Sequence, residues 1–157
     1  MSMFCYQCQE ASKGTGCTVR GVCGKTDDLA NMQDLLMYVL KGISIYSTRA
    51  RALGVENQEV NKFVVNGLFM TITNANFDKV RFIETITKAL ELREVIKAEL
   101  VNAGGVIDGK IPECATWTGT SEEFESKSMN VGVLKTENED VRSLRELVTY
   151  GIKGMAA

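Results

Sequence analysis

Four cysteines fall within the first 23 residues of the chain, at Cys5, Cys8, Cys17 and Cys23, with the spacing C-x2-C-x8-C-x5-C. Thiolates are soft donors, and a C-x2-C pair brings two of them to one metal centre across a single turn of backbone. The second pair, a short loop away, completes a set of four sulfur ligands. Gly14, Gly16, Gly21 and Gly24 are interleaved with them, and glycine admits both left-handed turns and close approach of backbone N–H groups to sulfur. Three chemistries fit the pattern: a [4Fe–4S] cubane, a structural zinc ion on the same four thiolates, and a pair of disulfides. Glycine density and the aromatic neighbours Phe4 and Tyr6, placed to exclude water, favour iron.

The rest of the composition narrows the field. The 157 residues contain no histidine. That excludes a Ser-His-Asp triad, a Cys-His nucleophile, histidine-ligated zinc enzymes and haem on a proximal histidine. The formal charge of −2 argues against nucleic acid as a partner. No apolar run is long enough to span a membrane. The opening residues lack the basic stretch and apolar run of a secretory leader, so the expected compartment is the reducing cytoplasm, where disulfides are disfavoured. Within residues 1–25, Lys13, Arg20 and Lys25 oppose Glu10 alone, a cationic excess that would raise the potential of an anionic cluster. Cys114 stands apart from the four and reads as a small buried apolar side chain. Trp117 reads as an anchor for packing, and Met32, Met37 and Met70 as core filling.

The elements that position the cysteines are helical. Residues 1–25 show no period of 3.6 or 2 and are expected to form a cluster-binding loop. A helix follows, capped by Thr26 or Asp27, with Leu29, Met32, Leu36, Val39, Leu40, Ile43 and Ala50 on its buried face and Leu53-Gly54 at its end. A second helix is expected from about residue 58 to residue 73, with Val60, Phe63, Val64, Leu68 and Ile72 inward. A third, capped by Asn76, carries Phe82, Ile83, Ile86, Ala89, Leu90 and Leu100 and stops at Gly104-Gly105. Residues 121–126 form a surface turn or short helix, and 131–134 an extended loop. A last helix starts from a Thr136/Glu139 capping box and presents Val141, Leu144, Leu147 and Val148. The fold class is thus all-α: an antiparallel helical bundle with a cysteine-rich loop at its N-terminus. Three regions are expected, comprising the loop (1–25), a three-helix bundle (26–105), and an irregular segment plus helix (106–157) that begins a further bundle.

The residues Met3–Glu10, Gly14–Thr18 and Gly21–Lys25, together with Asn138–Leu147 and Tyr150–Ala157, resemble the hybrid cluster proteins, also called prismane proteins or hydroxylamine reductases. The resemblance runs from end to end of the chain. It implies a helical first domain in which Cys5, Cys8, Cys17 and Cys23 hold a [4Fe–4S] cluster. It also implies an activity, the two-electron reduction of hydroxylamine to ammonia and water, with the first cluster relaying electrons to a hybrid iron–sulfur–oxygen cluster. The family's hybrid cluster uses a histidine, further cysteines and glutamates. This chain has no histidine and one spare cysteine, so the resemblance supports only the relay cluster here. The expected identity is the opening, truncated part of a longer protein, not catalytically complete by itself. Its expected partners are a redox donor protein, the absent catalytic domains, and a second copy through the last helix.

Overall fold

The computed structural model describes residues 2–157, and the described residues are helical apart from turns and one two-residue bridge. Five α-helices, α1 (Asp27–Ala52), α2 (Gln58–Met70), α3 (Lys79–Asn102), α4 (Phe124–Ser128) and α5 (Glu139–Ala156), pack against one another, with short 3-10 turns at Ser12–Gly14, Glu113–Ala115 and Val133–Lys135.

The helix boundaries follow from local chemistry. Asp27 and Asp28 sit in the first turn of α1, where carboxylates meet the positive end of the helix dipole. The helix ends where Gly54 takes a φ of +78°, the left-handed position that glycine accepts without a Cβ clash. Asn57 caps α2 by accepting from Val60 N at 3.0 Å. That helix stops at Met70, before the expected residue 73, because the Thr71 hydroxyl turns back to donate to Leu68 O at 2.8 Å. The cap of α3 is Asp78, which accepts from Arg81 N at 3.2 Å, and not Asn76. Asn76 instead closes a turn just before the helix by accepting from Asp78 N at 2.8 Å. Residues 131–134, expected as an extended loop, run into a 3-10 turn over Val133–Lys135. The cap of α5 is Asn138, whose side chain accepts from Val141 N at 2.9 Å. Thr136 lies outside the helix and accepts from Arg145 Nη1 at 3.1 Å.

Helices α1 and α3 form the core. Lys79 at the start of α3 pairs with Asp28 at the start of α1, with N···O 3.0 Å. Asn57, just beyond the end of α1, donates to Glu99 near the end of α3 at 2.7 Å. The two helices therefore run side by side in one direction, with α2 as the return leg. Leu35, Leu36, Val39, Ile43 and Tyr46 of α1 and Phe82, Ile86, Ala89, Ile96 and Leu100 of α3 are buried between them. Each such large apolar side chain contributes roughly 1.5–3 kcal/mol by leaving water.

The chain after α3 runs back along α1. The Glu113–Ala115 turn presses onto Gly42, where a Cβ would collide with the Cys114 carbonyl. A glycine in mid-helix costs roughly 1 kcal/mol, and here it permits a contact that no other residue allows. Tyr46 donates to Ala115 O at 3.0 Å, and the fully buried Arg93 of α3 donates to Cys114 O at 3.2 Å and Trp117 O at 2.6 Å. The burial of Cys114 pushes its thiol pKa up. It is thus the inert apolar cysteine that its isolated position suggests. Met32 is buried, while Met37, Met70 and Trp117 pack against the core from its margin.

Helix α5 is arranged differently. Its one buried residue is Lys153, while Leu144, Leu147, Val148 and Met155 are 64%, 70%, 62% and 88% exposed. It packs chiefly on α2 and the cysteine loop, and it turns a polar edge inward. No helix among the described residues is long and apolar enough to cross a membrane.

Candidate metal centre

The cysteine loop is held in place by α1, α2 and α5. Cys5 and Cys17 exchange both backbone hydrogen bonds, Cys5 N to Cys17 O at 3.0 Å and Cys17 N to Cys5 O at 2.7 Å. In such a pair the two residues lie directly opposite and share one face, so the bridge sets two of the four thiols side by side. The bridge requires Gly16, whose φ is +127° and where a Cβ would stand 2.8 Å from the Phe4 ring. Cys8 opens the turn that Ala11 N closes onto Cys8 O at 3.1 Å. Cys23 lies in the Gly21–Lys25 turn, which is fastened by Gly21 N to Lys25 O at 2.8 Å. A Cβ on Gly21 would meet both Cys23 Sγ and Lys25 Cβ at 3.0 Å.

Three helices then anchor the loop. Asn31 of α1 donates to Ser2 O at 3.0 Å. Thr73, after α2, donates to Gln7 O at 3.3 Å. Tyr150 of α5 donates to Tyr6 O at 3.2 Å, with the two rings 6.0 Å apart and Phe4 packed beyond, its ring tilted and 5.4 Å from that of Tyr6. Burial, reinforced by Glu146, pushes the Tyr6 phenol up to about 12, and burial raises that of Tyr150 as well. Both remain neutral hydrogen-bond donors at any ordinary pH.

All five cysteines are free thiols: Cys17 and Cys114 buried, Cys5 and Cys8 partly buried, Cys23 exposed. Among the described residues, no three Cys, Asp or Glu side chains stand close enough to hold a single metal ion. Four thiolates repel one another, and the cations of the group they ligate are what draw such a set together.

The residues nonetheless fit an anionic, thiolate-held group. Lys25 is 2% exposed, and its Nζ lies 3.9 Å from Cys5 Sγ and 2.6 Å from Gln33 Oε1. Among the described residues, the Nε2 of the buried Gln33 has no partner. A buried cation and an unspent buried donor beside a cysteine are unfavourable unless negative charge is supplied there. The donor set itself, four sulfurs without an imidazole, suits iron–sulfur clusters and zinc.

A second polar cluster backs the loop. Lys153 of α5 is buried, with Nζ 3.4 Å from Thr71 O. With its amide oriented so that Nε2 donates to Thr71 O at 3.0 Å, Gln7 accepts from Lys153 Nζ at 3.3 Å. Desolvation pulls the Lys153 pKa down to about 8, against the favourable charges of Asp34 and Glu146. Asp34 opens partly onto a cleft of about 780 Å³ between α1, α5 and residues 130–136, yet sits deep among protein atoms, which pushes its carboxyl up to about 7.

The sequence reading named the four cysteines, Phe4, Tyr6 and the three cations of residues 1–25, and the structure singles out Lys25 among those cations. Gln33, Asp34, Tyr150 and Lys153 were not foreseen. For Gln33 a signal existed: it sits on the stripe of Leu29, Met32, Leu36 and Leu40, where a polar residue on the buried face demands a partner.

The fold and site define a helical protein chain with a four-cysteine loop ahead of its first helix. Residues 3–157 match the Prismane/CO dehydrogenase family, and the chain belongs to that family. It is 63% identical over 158 residues to a hydroxylamine reductase of Desulfitobacterium hafniense and 63% identical over 158 residues to that of Clostridium novyi, covering 100% of this chain and 29% of each relative. The hydroxylamine reductase of Clostridium tetani is 52% identical over 181 residues, with 100% of this chain and 32% of that relative covered. The chain thus spans about a third or less of the length of these curated relatives.

Proposed function

We propose that this chain is the electron-relay domain of a hydroxylamine-reductase-type oxidoreductase, with Cys5, Cys8, Cys17 and Cys23 holding a [4Fe–4S] cluster. The observation that carries the reading is the four-thiol loop with the buried cation Lys25 at Cys5, in a chain similar along its full length to proteins named hydroxylamine reductase. A thiolate-held cubane supplies one-electron exchange and needs no acid–base side chain, which suits a chain without histidine.

The chain's own residues perform the supporting tasks. The Cys5–Cys17 bridge presets two ligands, and the rings of Phe4, Tyr6 and Tyr150 pack beside them in a row. Lys25 supplies positive charge, and α5 closes over the loop through Lys153 and Tyr150. Binding and reduction of hydroxylamine belong in this reading to a hybrid iron–sulfur–oxygen cluster in the remaining length of the protein. The chain receives electrons from a redox donor protein and passes them to that part, in the cytoplasm, where thiols stay reduced.

The test is an activity assay with the reductant kept in excess. The 157-residue protein, reduced anaerobically, is mixed with hydroxylamine, and ammonia is measured. Reversible bleaching by a reductant without ammonia formation is expected. Sustained hydroxylamine turnover by this chain alone overturns the assignment of catalysis to the remainder.

A further inference from the structure

Lys25 and Gln33 form a polar pair whose chemistry is incomplete. Both are buried, at 2% and 3% exposure. An ammonium only donates, so the amide atom that faces Lys25 Nζ at 2.6 Å is the oxygen. Gln33 Nε2 is then left without a partner among the described residues. No carboxylate lies within ion-pair distance of Lys25 among the described residues, whereas Cys5 Sγ is 3.9 Å away. The other charges that act here are Asp34, farther off along α1, and Lys153, a second buried cation. The backbone of Lys25 is fastened to the turn that carries Cys23, through Gly21 N to Lys25 O at 2.8 Å. The ammonium is therefore held at Cys5 by a residue whose backbone belongs to the turn that carries Cys23.

We propose that Lys25, held by Gln33, is the built-in counter-charge of the four-cysteine site and raises the reduction potential of the group bound there. The proposal rests on the iron–sulfur reading given above. One-electron reduction adds a single negative charge, with the electron supplied by the reductant and no bond made or broken. A fixed cation beside a ligand sulfur favours the reduced form. Lys25 acts here as a positioning and tuning residue, and Gln33 holds its ammonium toward Cys5.

The experiment is an anaerobic redox titration of the 157-residue protein, followed by electron paramagnetic resonance, after iron and sulfide have been counted. Lys25→Met is expected to keep wild-type iron and lower the reduction equilibrium constant tenfold or more, a shift of at least about 59 mV for one electron. Lys25→Arg, which keeps the charge, is expected to restore most of the potential. An unchanged potential in iron-loaded Lys25→Met overturns the proposal. If that variant does not load, Gln33→Glu carries the test, because its carboxylate neutralises the ammonium in place. The same drop is then expected, and no drop overturns the proposal. Wild-type protein without iron and sulfide overturns the cluster reading beneath it, so the two failures are distinct.

Discussion

Replacing Lys153 by methionine probes how α5 is fastened over the cysteine loop. In the folded protein Lys153 loses its proton near pH 8, and in the unfolded chain near 10.5. Below pH 8 both states carry the proton, and the folded state bears the whole desolvation of a buried ammonium. At about 1.36 kcal/mol per pH unit, the interval between those two values is worth about 3 kcal/mol. Between 8 and 10.5 the unfolded chain binds more protons than the folded protein, so this residue makes stability rise with pH; above 10.5 its cost is gone. Lys153→Met has no such group. Urea unfolding of both proteins at steps from about pH 7 to about pH 11 gives the difference in stability, wild type minus variant; titrations not coupled to Lys153 cancel, and that of Asp34, which Lys153 lowers, is confined to the low end of the range. That difference is expected to climb by about 3 kcal/mol across the range, with most of the change between 8 and 10.5. A flat difference would refute the burial of Lys153 and with it the docking of α5 on Gln7 and Thr71.

Four further outcomes follow from the packing. Gly42→Ala drives a methyl group into the Cys114 carbonyl and should lower stability by about 1–3 kcal/mol in thermal or urea unfolding. Gly21→Ala crowds Cys23 Sγ and Lys25 and should reduce bound iron per chain while leaving helical circular dichroism near the wild-type level. Cys17→Ser should lose bound iron, whereas Cys114→Ser should retain it, because Cys114 is buried in the Glu113–Ala115 turn that presses onto Gly42 of α1 and is not one of the four loop cysteines. The isolated chain should self-associate through the exposed Leu144, Leu147 and Met155 of α5; sedimentation equilibrium should show dimers that Leu144→Glu with Leu147→Glu converts to monomers.

The helices were legible because their signals are local. Apolar spacing over Leu29–Ala50 and Phe82–Leu100 marks faces that do pack together, and Gly54 ends α1 where a glycine can. The cap positions were less legible. Asn76 and Asp78 both suit a helix start, and so do Thr136 and Asn138; which one caps depends on where the next packed residue must fall. The buried charges were hidden for a different reason. Lysine and arginine read as surface in any composition argument, yet Arg93 falls between Ala89 and Ile96 on the inward stripe of α3, where its donors meet the carbonyls of Cys114 and Trp117. Lys25 and Lys153 are buried by segments distant in the chain, and no local pattern reports that. The four cysteines were visible at once from their spacing. Their grouping was only partly visible, since the bridge that pairs Cys5 with Cys17 depends on Gly16 and on Phe4 packing beside it.

The central claim, that the four early cysteines hold an iron–sulfur cluster, is tested most directly by counting metal and sulfide in anaerobically purified protein. The account predicts about four irons and four acid-labile sulfides per chain, in a brown protein. A colourless protein with one zinc per chain and no sulfide would contradict it.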